Sequence, residues 1–228
     1  VGKSQLLAAL SHARPEVADY PFTTVHPMPG MMEFEDIKIQ LVDLPPFSPE
    51  HTEPWLPELV RVADAALFVV DLAGFPLRDL DFIEERLAQV KVRLVREPDP
   101  AIPPNIAQVR TLLVCNKIDV AGARETFDTL ISLIGDRFET LAVSARDEIG
   151  LDDLRRVIFR NVHVIRVYAK EPGREPDRTA PFTVREGCTL LEFAKHIHKD
   201  FIEMKFARLW GPSAKFDGVP IQKEHVVL

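Results

Sequence analysis

Four short segments carry residue types that can hold a nucleotide, and they occur in a fixed order. Gly2-Lys3-Ser4-Gln5 comes first, then Phe22-Thr23-Thr24, then Asp43-Leu44-Pro45-Pro46, then Asn116-Lys117-Ile118-Asp119; Ser144-Ala145 follows. Glycine lets a backbone come close to a phosphate, lysine reaches the outer phosphate oxygens, and a serine hydroxyl can ligate magnesium. An Asp that closes a strand accepts from magnesium-bound water. Asp119 offers a carboxylate to two neighbouring N–H groups, a pair that guanine presents and adenine lacks. Asn116 would tie this base loop to the phosphate loop, the Lys117 stem would cover the base, and the Ala145 N–H would meet the guanine carbonyl. Thr24, or its neighbour Thr23, could ligate magnesium only when a third phosphate is present, which makes the segment a switch.

The elements between these segments have the periods that such a site needs. A helix is expected over Gln5–Leu10, and the stretch from Ala13 to Gly30 reads as turns. Asp36–Asp43 reads as a strand ended by Pro45 and Pro46, which cannot donate ladder hydrogen bonds. Helices are expected at Pro54–Ala63, Glu125–Ile134 and Leu151–Phe159. A longer one is expected at Leu77–Val95, from the stripe Leu80, Ile83, Leu87, Val90 and Leu94. Ala65–Val70, Thr111–Cys115 and Leu141–Val143 are short apolar runs, typical of strands buried on both faces. Glu97–Pro104, rich in proline, must be a loop. The alternation predicts an α/β fold, a doubly wound and mostly parallel sheet of the P-loop type.

The pattern changes near Asn161. Strands are expected at Val162–Tyr168, Pro181–Val184, Phe206–Trp210 and Val219–Ile221, with a helix over Leu190–Lys199 capped by Thr189. Together they suggest a small α+β roll. Residues 1–161 and 162–228 are therefore expected to be separate domains. Residues 1–160 hold 17 Lys+Arg against 26 Asp+Glu, and residues 161–228 hold 11 against 9. The acidic portion must bind an anion through a local nest of N–H groups, and a chain-wide nucleic-acid coat is excluded. No apolar run is long enough to span a bilayer, and no secretory leader is visible. Cys115 lies in a strand pattern and reads as a small core residue, so a reducing, cytoplasmic setting is expected. His196 and His198 sit two apart on a helix, on different faces, and are set aside as metal ligands. Trp55 and Trp210 read as packing residues, and Lys195, Lys199, Lys205 and Arg208 as a solvated face.

These residues resemble the Obg/DRG class of translation-factor GTPases, and within it the developmentally regulated GTP-binding proteins. The match runs through Val1-Gly2-Lys3-Ser4, Val17–Thr24, Pro29-Gly30 and Lys38–Pro45. Phe193–Lys199 and Ala207–Gly211 resemble the family's TGS domain, a ubiquitin-like β-grasp roll. The resemblance implies GTP/GDP and Mg2+ as ligands, with K+ as a further candidate, and magnesium roles for Ser4 and Thr24. It implies a ribosome or RNA contact through the TGS domain, a regulatory protein partner and no membrane. Catalysis is expected from Lys3, Thr24 and Asp43 through phosphate positioning rather than a side-chain base.

Two departures from the family pattern matter. Pro46 stands where the family has a glycine whose N–H reaches the third phosphate; its loss removes one hydrogen bond to a charged group, about 1.5–3 kcal/mol. Phe47 stands where Ras-like enzymes carry a water-orienting glutamine. Slow hydrolysis is expected, and a hydrolysis-deficient, GTP-dependent binding module is the rival reading. An ATPase of the related YchF type is disfavoured by Asp119. The insert that the DRG proteins place before their base-recognition segment is missing, and the chain reads as a piece that begins inside its phosphate loop and stops one strand short.

Overall fold

A computed structural model describes residues 2–11, 28–47, 53–170, 173–179, 181–211 and 214–227. The chain divides into two compact units, Val1–Val162 and His163–Leu228. The expected segment Phe22, Thr23 and Thr24 lies outside the described residues, as does Val1.

In the first unit, α1 (Lys3–Leu10) is followed by β1 (Met28–Phe34) and β2 (Ile37–Asp43), an antiparallel hairpin. Then come α2 (Leu56–Val62), β3 (Ala66–Asp71), α3 (Pro76–Gln89), β4 (Val92–Val95), β5 (Ala107–Asn116), α4 (Ala123–Ile134), β6 (Glu139–Val143) and α5 (Leu151–Asn161). β5 is the hub of the main sheet. It pairs in parallel with β3, β4 and β6, with Asp71 in register with Asn116 and Asn116 with Val143.

Strand geometry explains why β5 is apolar throughout. Successive side chains point to opposite faces. Leu112 and Val114 enter a core with Leu6 and Leu10 of α1 and Leu154 and Ile158 of α5. Leu113 and Cys115 enter the opposite core with Val60 of α2, Leu80 and Leu87 of α3, and Leu130 of α4. Helices thus cover both faces, and each such buried leucine contributes about 1.5–3 kcal/mol relative to exposure. Cys115 is a core residue whose thiol burial pushes up to about 12, which leaves it protonated and unreactive.

The hairpin and the long helix differ from expectation. The stretch expected as turns ends in the first residues of β1, Met28 to Gly30, and Gly30 lets that strand pass tight against α1. A side chain at Gly30 would lie 2.6 Å from Leu7 Cδ1 and from Ser11 Oγ. The apolar stripe from Leu80 to Leu94 is not one helix. α3 stops at Gln89, Lys91 takes a left-handed φ of 58°, and Val92–Val95 becomes β4. Strand and helix periods coincide at Val90 and Leu94, so the stripe could not separate them, and pairing with Ala107–Arg110 decides.

The second unit pairs β7 (Val164–Val167) with β8 (Phe182–Arg185) and β9 (Ala207–Leu209) with β10 (Val219–Ile221), both antiparallel. α6 (Leu190–Ile197) supplies Phe193 and Leu190 to a core with Val184 and Ile221. Thr189 caps α6 in a capping box: its hydroxyl accepts from the Glu192 N–H, and the Glu192 carboxylate accepts from the Thr189 N–H at 2.7 Å. The Thr189 N–H, and then the Thr189 hydroxyl donating at 2.9 Å, hold the Glu192 carboxyl below the usual carboxylate range. Among the described residues no cluster of His, Cys, Asp and Glu could hold a metal, and no helix is long and apolar enough to cross a membrane.

Candidate nucleotide site

The ends of β2, β3, β5 and β6 and the start of α1 carry the candidate residues. Gly2 is the N-cap of α1 and takes a left-handed φ of 81°. It also has no room for a side chain: a Cβ there would lie 2.7 Å from the Asn116 amide nitrogen. A glycine is required on both counts. The same contact puts the N-terminus of α1, with its outward N–H groups, beside the end of β5.

Asn116 is the joint of the site. It is 2% exposed. Its amide nitrogen packs on Gly2, and its Oδ1 accepts from the Ala145 N–H at 3.0 Å. One side chain therefore links the start of α1, the end of β5 and the segment after β6. The Ala145 N–H expected to face the base carbonyl is given to Asn116 here. A base carbonyl must share it, because one N–H satisfies one strong acceptor at a time. Ser144, fully buried, exchanges backbone bonds with Ile149, and its hydroxyl accepts from the Asp147 N–H at 3.0 Å. Its part is to shape the loop that presents Ala145.

Lys117 takes a left-handed φ of 70°, strain of about 1–3 kcal/mol for a residue with a side chain. Flanking backbone bonds hold it: the Leu72 N–H donates to the Asn116 carbonyl and the Ile118 N–H to the Val143 carbonyl, both at 3.1 Å. The loop is pinned from both neighbouring strands. Two residues on, one oxygen of Asp119 is buried, and no hydrogen-bond donor among the described residues reaches it. A buried acceptor without a donor is costly, about 1–3 kcal/mol. A ligand that brings N–H groups removes that cost.

The segment expected to hold phosphates has its own polar pair. The Ser4 hydroxyl donates to Asp43 Oδ2 at 2.5 Å. A hydroxyl and a carboxylate with few other protein oxygens suit Mg2+, which keeps waters and takes phosphate oxygens as its remaining ligands. Ser4 and Asp43 fit the ion, Ser4 as a ligand and Asp43 through a bound water. Burial lowers the Lys3 pKa, and the Asp43 charge offsets only part of that. Gln5 is exposed on the first turn of α1. After β2, Leu44 and Phe47 pack against the core while Pro46 is exposed and Pro45 is intermediate.

One residue of this region escaped the sequence reading. Asp71 closes β3, and its Oδ2 accepts from Lys117 Nζ at 2.5 Å. Burial pulls the Asp71 carboxyl up. Its bonds from Lys117 and from the Ala73 N–H outweigh that, and the net pKa lies below the usual value. The signal was present: Asp71 ends an apolar strand as Asp43 does. Lys117 is thus tethered by its tip to the end of β3. A carboxyl with a depressed pKa stabilises the fold above its unfolded value, and that contribution disappears as pH falls through the folded value. Replacing Asp71 by Asn should therefore remove part of the loss of stability expected of wild type as pH falls below 3.8. It should also weaken guanine-nucleotide binding about fivefold, a charged hydrogen bond discounted for the half-exposed lysine. Acid titration by circular dichroism and a nucleotide titration at neutral pH check the two effects.

Residues 1–117 match the family model described as 50S ribosome-binding GTPase. The chain belongs to this GTPase family. It is 28% identical to a GTP-binding protein of Methanocaldococcus jannaschii, across 99% of this chain and 72% of that one. It is also 28% identical to developmentally-regulated GTP-binding protein 1 of Xenopus laevis, across 100% of this chain and 77% of the relative. That alignment runs over 288 positions against 228 residues here, so the relative has residues without a counterpart in this chain. Among solved structures, the cytosolic domain of the Thermotoga maritima FeoB iron transporter in a GDP form superposes with a TM-score of 0.51 at 21% identity, covering 71% of this chain and 59% of that one. Era in complex with MgGDPNP and a segment of 16S ribosomal RNA superposes with a TM-score of 0.51 at 19% identity, covering 77% of this chain and 57% of that one. These two likenesses establish the P-loop GTPase fold of this GTPase family member.

Proposed function

We propose that the chain is a magnesium-dependent GTP-binding protein that hydrolyses GTP slowly to GDP and phosphate, in translation or ribosome-associated regulation. The observation that carries this is the joint at Asn116. It brings the start of α1 and the Ala145 loop together next to Asp119, whose buried oxygen has no donor among the described residues. In this reading Asp119 takes the guanine N–H pair and Lys117 covers the base. Gly2, Lys3, Ser4 and Gln5 surround the phosphates, and Ser4 and Thr24 hold magnesium. Magnesium supplies charge neutralisation on the phosphates. The chain's own residues bind and orient: Lys3 on the outer phosphate oxygens, Asp43 on the Ser4 hydroxyl, and backbone N–H groups at the start of α1. The second unit would be the TGS-like part and carry the ribosome or RNA contact. A regulatory protein partner and potassium-assisted hydrolysis belong to the same reading.

A second reading has its own support. Phe47 packs on the core and Pro46 has no N–H, so this segment supplies neither a water-orienting side chain nor a donor at that position to the third phosphate. A GTP-dependent binding module without turnover fits that pair as well. Single-turnover phosphate release, with and without potassium and ribosomes, separates them. Slow release supports hydrolysis, and none under any condition with tight GTP binding supports the module. Replacing Pro46 by Gly should raise the preference for GTP over GDP about ten- to a hundredfold, because one charged hydrogen bond is restored. An unchanged ratio of the two dissociation constants would contradict that role.

A further inference from the structure

β9 presents two different faces. Ala207 and Leu209 join the core of the second unit, while Phe206, Arg208 and Trp210 alternate with them on the exposed side. Phe206 is 56% and Trp210 44% exposed, which corrects the packing role expected for Trp210. On β10 the register partner of Arg208 is Pro220, also exposed. The outward face of β9 and β10 is therefore a row of aromatic, guanidinium and aromatic groups. Two residues along a strand advance about 6.5 Å, close to the step of an extended nucleic-acid strand.

Cations flank the row. Lys170 Nζ lies 4.5 Å from the Trp210 ring centroid. Lys205 precedes Phe206, and exposed Lys215 and Phe216 sit in the turn before β10, where Asp217 opposes them. The Trp210 ring is seated against Gly218, where an added Cβ would come within 3.4 Å of the indole. An exposed indole with one side against the backbone is a poor core residue and a good platform. Aromatic rings interleaved with cations on a strand face match what single-stranded RNA uses: rings stack on bases, and the cations meet phosphates. A protein partner would instead favour a face without lysines around its aromatic residues, because lysine is depleted at protein interfaces.

We propose that this face binds a short single-stranded RNA segment. Bases stack on Phe206 and Trp210, Arg208 lies against the intervening nucleotide, and Lys170 leaves the indole for a phosphate. This supplies a location for the RNA contact of the proposed function and does not depend on the nucleotide chemistry.

The two tryptophans make the test specific, because Trp55 is 8% exposed and Trp210 is not buried. In the full chain carrying Trp55→Phe, a short oligouridine at low salt should quench the remaining emission. Anisotropy of a labelled oligouridine should show affinity falling about tenfold in Trp210→Ala and in Phe206→Ala. Added salt should weaken binding steeply, and duplex RNA should bind less well. Guanine-nucleotide binding should be unchanged in both variants, which separates this surface from the nucleotide site, and an unchanged circular-dichroism spectrum and amide-proton NMR pattern of residues 163–228 show that the second unit keeps its fold. Absence of quenching, an affinity in both variants equal to that of the parent chain, or tighter binding of an acidic peptide than of oligouridine would overturn the proposal.

Discussion

Replacing Asp119 by Asn is expected to weaken GDP and GTP binding by about two to four orders of magnitude. The carboxylate accepts from two guanine N–H groups, and each bond to a charged group is worth about 1.5–3 kcal/mol. An amide in its place keeps one acceptor and adds a donor aimed at the base. The change should therefore do more than weaken guanine. It should improve binding of xanthine nucleotides, whose second carbonyl accepts where guanine donates. The unpartnered buried oxygen of Asp119 gives a second consequence. Without nucleotide, the Asn variant should be no less stable than wild type, because the carboxylate makes no bond there that the amide would lose. Titration with guanine and xanthine nucleotides, together with thermal unfolding of the free protein, measures both. Loss of stability with unchanged guanine affinity would assign Asp119 to structure.

Lys3 should show a sharper opposition. Replacing it by Met is expected to cost about two to four orders of magnitude in nucleotide affinity, on the basis of two charged hydrogen bonds to phosphate. The same change should raise the unfolding temperature of the nucleotide-free protein. Burial lowers the Lys3 pKa, with the Asp43 charge working against it. A lysine whose folded pKa is depressed makes the charged form costly in the fold. Wild-type stability at neutral pH is thereby reduced, and it recovers as pH rises through the folded value toward 10.5. Met has no such penalty. The midpoint should move upward by about 2–4 °C for each kcal/mol relieved. Saturating GDP should reverse the order, because the phosphates stabilise the ammonium in wild type and lose that partner in the variant. Stability spent on a binding charge is a common feature of functional sites.

Much of this site was legible in the sequence for a physical reason. The candidate segments sit at strand ends and at a helix start, where local residue chemistry decides the backbone. Asp43 stands before two prolines, Asn116 ends an apolar run, and Gly2 precedes a helix. The order of these segments along the chain carried the reading. What the sequence could not give was their use in space. That Asn116 grips both Gly2 and Ala145, and that Lys117 reaches Asp71, depends on the registers of β3, β5 and β6. Those registers are long-range pairings that no local pattern encodes. The helix that became α3 and β4 failed for the related reason that one apolar stripe fits both periods over a short stretch. The exposed face of β9 was missed because an alternating strand looks the same whether its outer ring is covered or bare. Trp210 could be judged only once its surroundings were known.

One nucleotide must lie between Lys3 and Asp119 for both side chains to act as proposed. Competition of unlabelled GDP and ADP against a fluorescent guanine nucleotide on the full chain, with magnesium present, tests this most directly. GDP should displace the probe at a concentration at least a hundredfold below that needed for ADP, since adenine offers Asp119 no donor pair. Equal displacement by the two would show that the purine is not read at position 119 and would contradict the account.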